Sequence, residues 1–384
     1  MKKVVKFGGS SLASAEQFMK VCDIIRADES RRYVVPSAPG KRFNDDIKVT
    51  DMLYRCYELA ESGQPFNKQM NQIKDRYNEI IRGLKLDFSL NDDFETIKKQ
   101  FLAKAGRMYA ASRGEYLNGK IMAKYLGFEF IDSANVIRFD KDGHFDADTT
   151  DKLLSERLAA YDHAVIPGFY GAMANGTVVT FSRGGSDITG SLVAKAIHAD
   201  LYENWTDVSG VLVADPRIIN NPEVIHTITY TELRELAYMG ASVLHEDAIF
   251  PVRKAGIPIN IRNTNAPDHP GTMILESIGD EMEEGGFITG IAGKKGFSII
   301  TIAKTGMSSE PGSLLKILNV LAKHEVNVEY LPSGIDNVSL VVSSDKVSRS
   351  LYEMLGELQK EVQPNKITVT EHIAICLLYT SPSP

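Results

Sequence analysis

The segment Val4–Ser11, VVKFGGSS, joins a short β-branched run to a lysine, two adjacent glycines and two serines. A glycine-rich turn directly after a strand presents successive backbone N–H groups that can enclose phosphate oxygens, and Lys6 adds a mobile positive charge. The motif is not a Walker A sequence, because the lysine precedes the glycines, and it is not a G-x-G-x-x-G fingerprint. The segment predicts a first strand followed by a candidate phosphate-binding turn. A tight strand-to-helix turn that binds no ligand would have the same pattern.

Short β-branched runs bounded by glycine or proline recur after this segment and alternate with longer amphipathic stretches. The predicted strands are Val4–Phe7, Tyr33–Val35, Ala164–Pro167, Val178–Phe181, Val211–Ala214 and Ile257–Ile261. This alternation indicates βαβ units and a mostly parallel sheet, so the predicted fold class is α/β.

A region of different pattern interrupts the alternation between about residues 45 and 105. It contains long charged stretches with apolar residues at helical spacing, namely Met70, Ile73, Tyr77, Ile80 and Ile81. Such spacing places the apolar side chains on one side of a helix. We therefore predict a helical insertion on the sheet.

A second, smaller unit is predicted beyond Gly279–Gly286, an acidic, glycine-flanked segment that is typical of a solvated linker. Its elements follow a βαββαβ order. The predicted strands are Phe297–Ala303, Val326–Leu331, Val338–Val342 and Ile367–Thr370, and the helices begin near Pro311 and Val347. We expect the apolar positions Leu314, Leu318 and Leu321 to share one face of the first helix.

The end of the chain indicates an interrupted repeat. His372–Leu377 (HIAICL) faintly repeats Ser298–Ile302 (SIITI), as the start of a second copy of the small unit would. The last residues, LLYTSPSP, are apolar and then rich in serine and proline, and we interpret them as a foreign tail. The predicted domains are therefore 1–285 with its helical insertion, 286–371, and 372–384 as the truncated start of the second copy.

The overall composition excludes several classes of partner. A formal net charge of -7 and a pI near 5.7 leave no basic field for a polyphosphate backbone, so no nucleic acid is expected. No stretch has the roughly 18 uncharged apolar residues of a membrane span, so no membrane is expected either. Cys22, Cys56 and Cys376 lack the spacing of a zinc site or a disulfide framework. Together with the lack of a signal peptide, they predict a cytoplasmic protein.

The segment Ser182–Asp187, SRGGSD, has the groups that an amino-acid substrate requires. An α-carboxylate is best held by a bidentate guanidinium, which Arg183 supplies, and an ammonium group is best held by a carboxylate, which Asp187 supplies. The adjacent glycines would let a ligand approach the backbone. A surface ion pair between Arg183 and Asp187 is the alternative interpretation.

Three further polar segments are candidates for the same site. Ser112–Glu115 (SRGE) offers a second acid between two helical stretches, although a solvated helix start has the same composition. Trp205–Asp207 closes one predicted strand and Asp215–Arg217 follows the next, which places polar groups at carboxyl ends of parallel strands, where ligands of open α/β sheets bind. Asp-Pro is also an ordinary turn signal. His245 is interpreted as a packed or hydrogen-bonded loop residue rather than a base or ligand.

Six ordered motifs together resemble those of the aspartate kinases. They are KFGGSS from Lys6, VVPSAPGK from Val34, SRGE from Ser112, GFYGAMANGTVVTFSRGGSD ending at Asp187, WTDVSGVLVADPR ending at Arg217, and GASVLH ending at His245. The resemblance runs from Val4 to about Ala374. It implies a three-layer αβα sandwich with a mostly parallel sheet, as in amino acid kinases and carbamate kinases, followed by a C-terminal α+β, ferredoxin-like ACT regulatory domain.

The resemblance also implies roles for individual residues. The implied catalytic residues are Lys6, Gly8, Gly9 and Asp187. The implied ATP-binding residues are Lys6, Gly8, Gly9, Ser10, Thr206, Asp207, Asp215 and Arg217. The implied substrate-binding residues are Ser37, Ala38, Glu115, Arg183, Ser186 and Asp187. The candidate effector contacts are Met307, Ser309, Asn327 and Glu329. No residue is assigned as a metal ligand.

The implied reaction is transfer of the γ-phosphoryl group of ATP to the side-chain carboxylate of L-aspartate. A carboxylate with a pKa of about 3.9 is ionised at neutral pH, so no general base is required. The resemblance further implies Mg²⁺, a lysine or threonine effector, and a homodimer formed through ACT domains. Two alternatives are a kinase of the same fold that acts on glutamate, N-acetylglutamate or carbamate, and a catalytically silent amino-acid sensor. SRGE, WTDVSG and the ACT-like tail argue against the first, and the presence of Lys6, Arg183 and Asp187 argues against the second.

Overall fold

The computed structural model describes residues 1–182, 184–240, 244, 246–277 and 288–380. The chain divides into two compact units, one formed by Met1–Gly290 and the other by Ile291–Tyr379. Among the described residues, no helix is both long and apolar enough to cross a membrane.

The first unit contains eleven strands within the described residues. They are β1 (Lys3–Phe7), β2 (Arg31–Pro36), β3 (Glu129–Phe130), β4 (Arg138–Phe139), β5 (Ala164–Val165), β6 (Tyr170–Met173), β7 (Val178–Thr180), β8 (Leu201–Thr206), β9 (Thr227–Thr229), β10 (Ile259–Asn263) and β11 (Thr272–Leu275). Eight of them form one sheet in the order β3-β5-β2-β1-β8-β10-β11-β9. Every neighbouring pair in this sheet is parallel except β10 and β11. The predicted mostly parallel sheet is confirmed.

Helices cover both faces of this sheet. They are α1 (Ala15–Arg26), α2 (Val49–Glu61), α3 (Asn67–Gly83), α4 (Asn91–Leu102), α5 (Arg107–Leu126), α6 (Ser133–Val136), α7 (Ala147–Leu158), α8 (Gly185–Ala196), α9 (Tyr230–Tyr238) and α10 (Glu246–Lys254). One core cluster joins Val5 and Phe7 of β1 to buried residues of α1 to α5. On the other face α8 packs on β1 and β2, with α7 and α10 beside it. The first unit is therefore a three-layer αβα sandwich.

The predicted helical region between residues 45 and 105 contains α2, α3 and α4. The apolar residues at helical spacing, Met70, Ile73, Tyr77, Ile80 and Ile81, lie on α3 and are all buried. The Tyr77 hydroxyl also donates a hydrogen bond to the carbonyl of Gly114 at 2.7 Å, which ties α3 to α5.

Two predicted strands do not lie in the main sheet. Val178–Thr180 pairs with β6 in a separate three-stranded sheet, in the order β4-β6-β7. Val211–Ala214 forms no strand; it has only an isolated bridge between Leu212 and Val224. The reason is local, because the backbones of Val213 and Ile225 pair with residues 223 and 211 across a short loop. Val211–Ala214 therefore pairs within that loop and does not form an edge strand of a sheet.

The second unit has the predicted βαββαβ order. Its elements are β12 (Ile288–Ala303), α11 (Ser313–Lys323), β13 (Val328–Tyr330), β14 (Asn337–Ser343), α12 (Ser344–Val347), α13 (Leu351–Val362) and β15 (Lys366–Thr380). The strands are ordered β13-β14-β12-β15 around a core that includes Ile300, Leu340 and Met354. This arrangement agrees with the predicted ferredoxin-like fold.

The buried face of α11 differs from the predicted apolar face. Leu321 is buried, but Leu314 and Leu318 are 43% and 36% exposed. The helix begins at Ser313, after Gly312 with φ 83°, and this start turns residues at Ser313, Ile317 and Val320 toward the sheet. Leucine spacing alone therefore did not identify the side of the helix that is buried.

The proposed domain boundaries remain predictions. The linker Gly279–Gly286 lies outside the described residues. β15 runs through the predicted boundary between residues 371 and 372 without a break. The interpretation of residues 372–384 as the start of a second copy also remains a prediction.

The cysteines lie in very different environments. Cys22 and Cys56 are buried, and Cys376 on β15 is exposed. Burial raises the pKa of the Cys22 and Cys56 thiols to about 12. All three thiols are free.

A charged network lies beneath the sheet on the side of α1. Glu203 of β8 is fully buried and accepts hydrogen bonds from Arg31 Nε at 2.8 Å and from Trp205 Nε1 at 2.8 Å. Lys3 Nζ lies 3.3 Å from the same carboxylate. Two cations from β1 and β2 thus share one acid on β8, which links three adjacent strands through their side chains.

We expect Glu203→Gln to lower the free energy of unfolding of the first unit by about 3 kcal/mol, because it removes the fully buried carboxylate that Arg31 and Lys3 share. Among the described residues, the carboxylate that remains is Asp28, which lies 2.7 Å from Lys3 Nζ but 4.0 Å from Arg31 Nε. Urea titration followed by the fluorescence of Trp205, the single tryptophan, measures the change. Asp162→Asn is the matched control, because Asp162 is 90% exposed and lies 3.9 Å from Arg32. An unchanged urea midpoint for Glu203→Gln would contradict the role given to this network.

Candidate active site

A cavity of about 710 Å³ opens at the carboxyl ends of β1, β2 and β8. Its lining residues are Gly8, Gly9, Ser10, Ala38, Pro39, Gly40, Lys41, Arg42, Phe43, Asn44, Lys48, Thr50, Glu115, Thr206 and Asp207. Seven of the residues predicted for the ligand sites therefore share one cavity: Gly8, Gly9, Ser10, Ala38, Glu115, Thr206 and Asp207. The volume lies in the range of cavities that bind small molecules.

The alternation of side chains along β1 determines where Lys6 points. Val5 and Phe7 face the core formed with α1 to α5, so Lys6 faces the opposite layer, where α8 lies. Lys6 is buried there, and its Nζ lies 2.6 Å from Oδ1 of Asp187 in the first turn of α8. The two predicted catalytic side chains are thus in direct contact.

Asn204 of β8 completes this contact. Its Nδ2 donates a hydrogen bond of 2.8 Å to the same Oδ1 of Asp187 that Lys6 approaches. The hydroxyl of Tyr202, on the same face of β8, donates to the Asp187 carbonyl at 3.1 Å. Burial, followed by the charge of Asp187, raises the pKa of Tyr202 well above its ordinary value, so the hydroxyl stays a donor. Asp187 is held from β1 and β8 together.

The glycine turn is fixed by backbone contacts on both sides. Gly8 donates its N–H to the carbonyl of Trp205 at 3.0 Å, and Gly40 donates its N–H to the carbonyl of Gly9 at 2.8 Å. A Cβ on Gly40 would lie 2.6 Å from the carbonyl carbon of Gly9, and one on Gly9 would lie 2.9 Å from the carbonyl oxygen of Ala38. The turns after β1 and β2 therefore touch through backbone atoms, which requires glycine at both positions.

The SRGE motif lies inside a helix and not between two helices as predicted. Ser112–Glu115 is part of α5 and is buried. Arg113 is enclosed by aromatic rings, with its guanidinium carbon 4.6 Å, 4.5 Å and 5.2 Å from the ring centroids of Tyr109, Tyr116 and Tyr170. From the sequence alone, an arginine at this position would be expected to be exposed. In the structure, the three rings and the Ser112 hydroxyl cover its guanidinium group.

Glu115 lines the cavity although little of its surface is exposed. Burial raises the pKa of its carboxyl group to about 8, against a smaller opposing effect of a hydrogen bond from the backbone N–H of Ala38. Its Oε2 has no hydrogen-bond partner among the described residues. A cationic ligand at Oε2 would favour the ionised carboxylate.

The start of α8 brings one further predicted substrate residue, Ser186, to this region. Gly184 has φ 58° and precedes the helix, and Ser186 is buried in its first turn. A Cβ on Gly168 would lie 2.5 Å from Ser186 Oγ, so the segment after β5 packs closely on this serine. Arg183 and His245 lie outside the described residues.

Asp215 and Arg217 are not brought into the cavity. They form a local ion pair, with Arg217 Nη2 2.6 Å from Asp215 Oδ2, and the arginine side chain is 83% exposed. Because Val211–Ala214 is not a strand, Asp215 does not follow a strand end as predicted. The expectation that these two residues face the nucleotide remains a prediction.

Several cavity residues were missed by the sequence analysis. Arg42, Lys41, Lys48 and Thr50 follow the PSAPG segment, and they were not assigned because a charged loop resembles any solvated surface. Arg42 is neutralised by Asp46 and Glu79, at 2.9 Å from each. Lys41 Nζ donates a hydrogen bond to the carbonyl of Asn44 at 3.0 Å. The sequence feature that could have identified Lys41 as a cavity residue was its position next to Gly40.

The candidate effector residues lie in the second unit. Met307 and Ser309 belong to a single 3-10 turn, Met307–Ser309, just before α11, and Asn327 and Glu329 lie at and beside the start of β13. Met307 is packed against the core of the unit, whereas Ser309 and Asn327 are exposed.

Comparison with known proteins defines the class. The Amino acid kinase family profile matches residues 1–263. Aspartokinase 3 of Bacillus subtilis (strain 168) is 35% identical over 393 residues, covering 98% of this chain and 86% of the relative. Lysine-sensitive aspartokinase 3 of Escherichia coli (strain K12) is 26% identical over 365 residues, covering 89% and 78%. The crystal structure of Clostridium acetobutylicum aspartate kinase, an allosteric enzyme, has a TM-score of 0.87 at 50% identity, covering 98% and 86%.

The chain therefore belongs to the amino acid kinase family. Similarity over nearly its whole length places it, within that family, among the aspartokinases, which use ATP to phosphorylate aspartate. The resemblance found in the six sequence motifs is confirmed.

We expect Gly40→Ala to lower kcat/KM for ATP about 100-fold, since a Cβ there must displace the glycine turn and misplacement near 1 Å can have that effect. Steady-state kinetics with varied ATP measures the change. Gly356→Ala is the control, because a Cβ on this glycine of α13 meets open space. Normal ATP kinetics for Gly40→Ala would contradict the tight backbone contact.

Glu115 makes the stability of the first unit depend on pH. Since the folded chain holds this proton up to a pKa of about 8 and the unfolded chain only up to about 4.5, stability should fall as pH rises between those values. Glu115→Gln removes the effect, so its free energy of unfolding should gain about 3 kcal/mol on wild type between pH 5 and pH 8. Urea titrations at both pH values measure this gain.

Glu95→Gln, on the exposed side of α4, is the control for this pH dependence and should follow wild type. Parallel stability profiles for wild type and Glu115→Gln would show that the Glu115 carboxyl group is already ionised in the folded protein at pH 7.

Proposed function

We propose that the cavity binds ATP and aspartate side by side, with the phosphates at the glycine turn and the amino acid between α5 and the start of α8. The observation that carries this proposal is the 2.6 Å contact between Lys6 and Asp187 next to the turn. This contact joins Lys6, which is proposed to bind the phosphates, to Asp187, which is proposed to bind the amino acid. Ser10, Thr206, Asp207, Asp215 and Arg217 are proposed nucleotide contacts.

On the substrate side, Arg183 grips the α-carboxylate of aspartate in this proposal. Glu115 and Asp187 accept hydrogen bonds from the ammonium group, and Ser37, Ala38 and Ser186 form the wall beside the reacting carboxylate. The location of Glu115 in the cavity and of Asp187 in the first turn of α8 supports this arrangement. The helix N-terminus also favours anionic groups near Ser186.

Chemistry in this site consists of positioning and charge neutralisation. The β-carboxylate of aspartate is ionised at neutral pH and attacks the γ-phosphorus without a general base. In the reaction, Lys6 moves from Asp187 toward the phosphate oxygens. Asp187 Oδ1 then still accepts the hydrogen bond from the side-chain amide of Asn204. Lys6 and the N–H groups of the turn then offset charge on the transferred group, whose bond to ADP breaks as the acyl phosphate forms.

Mg²⁺ is proposed as the companion of ATP, because Mg²⁺ is usually held largely by substrate phosphates and water. Asp187 fits this requirement, since Lys6 and Asn204 both contact its Oδ1, and within the described residues its Oδ2 would be available for a water ligand of the ion. Asp207, which lines the cavity, is the second acid that would hold the ion's water shell. The bound ion would supply neutralising charge on the phosphates.

Regulation is proposed to reside in the second unit, at the turn before α11. An amino-acid effector, lysine or threonine, would place its carboxylate at the N-terminus of α11 and contact Met307, Ser309, Asn327 and Glu329. The name of the lysine-sensitive E. coli relative favours lysine. We also propose a homodimer formed through ACT domains and a location in the cytoplasm.

The proposed function is tested by incubating the protein with Mg-ATP and aspartate, trapping the acyl phosphate as its hydroxamate and measuring ADP in parallel. We expect hydroxamate with aspartate and none with glutamate. Lys6→Met and Arg183→Ala should each lower kcat/KM about 100-fold, because each removes a charge directed at a ligand.

Lys195→Met is the matched control for Lys6→Met, since Lys195 lies at the other end of α8 and pairs with Asp151 at 3.1 Å. Full hydroxamate formation by Lys6→Met would refute the role of Lys6. ADP formation that does not depend on aspartate would instead support the silent-sensor alternative.

A further inference from the structure

Asn118 lies one turn after Glu115 on α5 and is fully buried. Its Nδ2 donates a hydrogen bond of 2.7 Å to the carbonyl of Ser37. A carbonyl can only accept, so this bond fixes the orientation of the amide and leaves Oδ1 as the free acceptor. Oδ1 is buried and has no hydrogen-bond partner among the described residues.

Glu115 presents a second oxygen without a partner within the described chain, and this oxygen becomes an acceptor when a cationic ligand favours the ionised carboxylate. The backbone N–H of Ala38 hydrogen-bonds to its carboxyl group, and its Oε2 is buried and unpartnered in the described part of the chain. Residues three apart on a helix lie on one face, so both free oxygens belong to the same side of α5. Buried polar atoms are normally paired, and two unpaired oxygens on one face of a helix indicate a missing cationic donor.

Close packing places this face of α5 at the amino-acid side of the site. A Cβ on Gly114 would lie 2.7 Å from Ala38 Cβ, and one on Gly119 would lie 2.7 Å from Pro167 Cγ. The glycines thus let α5 approach the ends of both β2 and β5. Gly168, the next residue after Pro167, packs in turn on Ser186 at the start of α8.

We propose that Asn118 is a substrate-binding residue whose Oδ1, together with Glu115 Oε2, accepts hydrogen bonds from the α-ammonium group of aspartate. The proposal rests on the proposed function, because it assigns the donor that the amino-acid side of the cavity lacks. An ammonium group has three protons and needs acceptors in three directions, and Asn118 Oδ1 supplies the third acceptor beside the carboxylates of Glu115 and Asp187. The pair therefore selects aspartate over a dicarboxylate that has no amine.

The test compares aspartate with succinate, which differs only in lacking the amine. For wild type and Asn118→Leu, we would measure the KM of aspartate, the KM of ATP and the Ki of succinate as a competitive inhibitor against aspartate. We expect the KM of aspartate to rise about 10-fold, as loss of a hydrogen bond to a charged group implies. The Ki of succinate and the KM of ATP should change less than about 2-fold, because neither ligand has the ammonium group.

Asn118→Leu also removes the hydrogen bond to Ser37, and succinate separates that effect from the loss of an ammonium ligand. Equal rises in the KM of aspartate and the Ki of succinate would overturn the proposal, because Asn118 would then act only through Ser37. An unchanged KM of aspartate would overturn it as well. Asn71→Leu, on the exposed side of α3, is the control.

Asn118→Ala provides a second measurement if the leucine variant fails to fold, as judged by circular dichroism. It leaves space for water and is interpreted by the same comparison of aspartate with succinate. Absence of hydroxamate with the wild-type protein would be a different result, since it would refute the proposed function itself and not the role of Asn118.

Discussion

The contact between Lys6 and Asp187 is the constraint on which the rest of the site depends. It joins side chains 181 positions apart, and it requires Lys6 to face away from the core that Val5 and Phe7 enter. A shift of one residue in the register of β1 would exchange those faces and send the lysine into the apolar layer. The network around Glu203 on the other side of the sheet ties the same three strands together. The charged network on the side of α1 therefore fixes the register of these strands, and the contact between Lys6 and Asp187 on the side of α8 depends on that register.

The parts of the fold that were predicted correctly have short-range causes. β-branched runs located β1, β2, β5 and β10, and periodic apolar residues located α3, because pleat and helix periods are properties of neighbouring residues. The glycine turn was recognisable for the same reason. Among the predicted site residues, Gly8, Gly9, Ala38 and Glu115 do meet in one cavity, although their roles were implied by a family resemblance and not by spacing.

The parts that could not be predicted depend on which groups each residue meets in the folded chain. Val211–Ala214 has the composition of a strand but pairs within its own loop. Arg113 would be expected at the surface from its sequence, yet Tyr109 and Tyr116 of its own helix and Tyr170 of β6 enclose it. Asn118 and Asn204 carry no local signal, since an asparagine within a helix or strand is ordinary until the atoms facing it are known. Sequence periodicity identifies elements, whereas the partners of polar side chains follow from how the elements pack.

The distribution of thiols and tryptophan gives the chain two separate spectroscopic probes. Cys376 is exposed on β15, whereas the thiols of Cys22 and Cys56 are buried and keep their protons well above neutral pH. A maleimide dye should therefore attach to the second unit at one position without any substitution in the sequence. Trp205, whose carbonyl holds Gly8, emits from the first unit. Events at the glycine turn and events in the ACT-like unit can thus be recorded at different wavelengths in the same unmutated molecule.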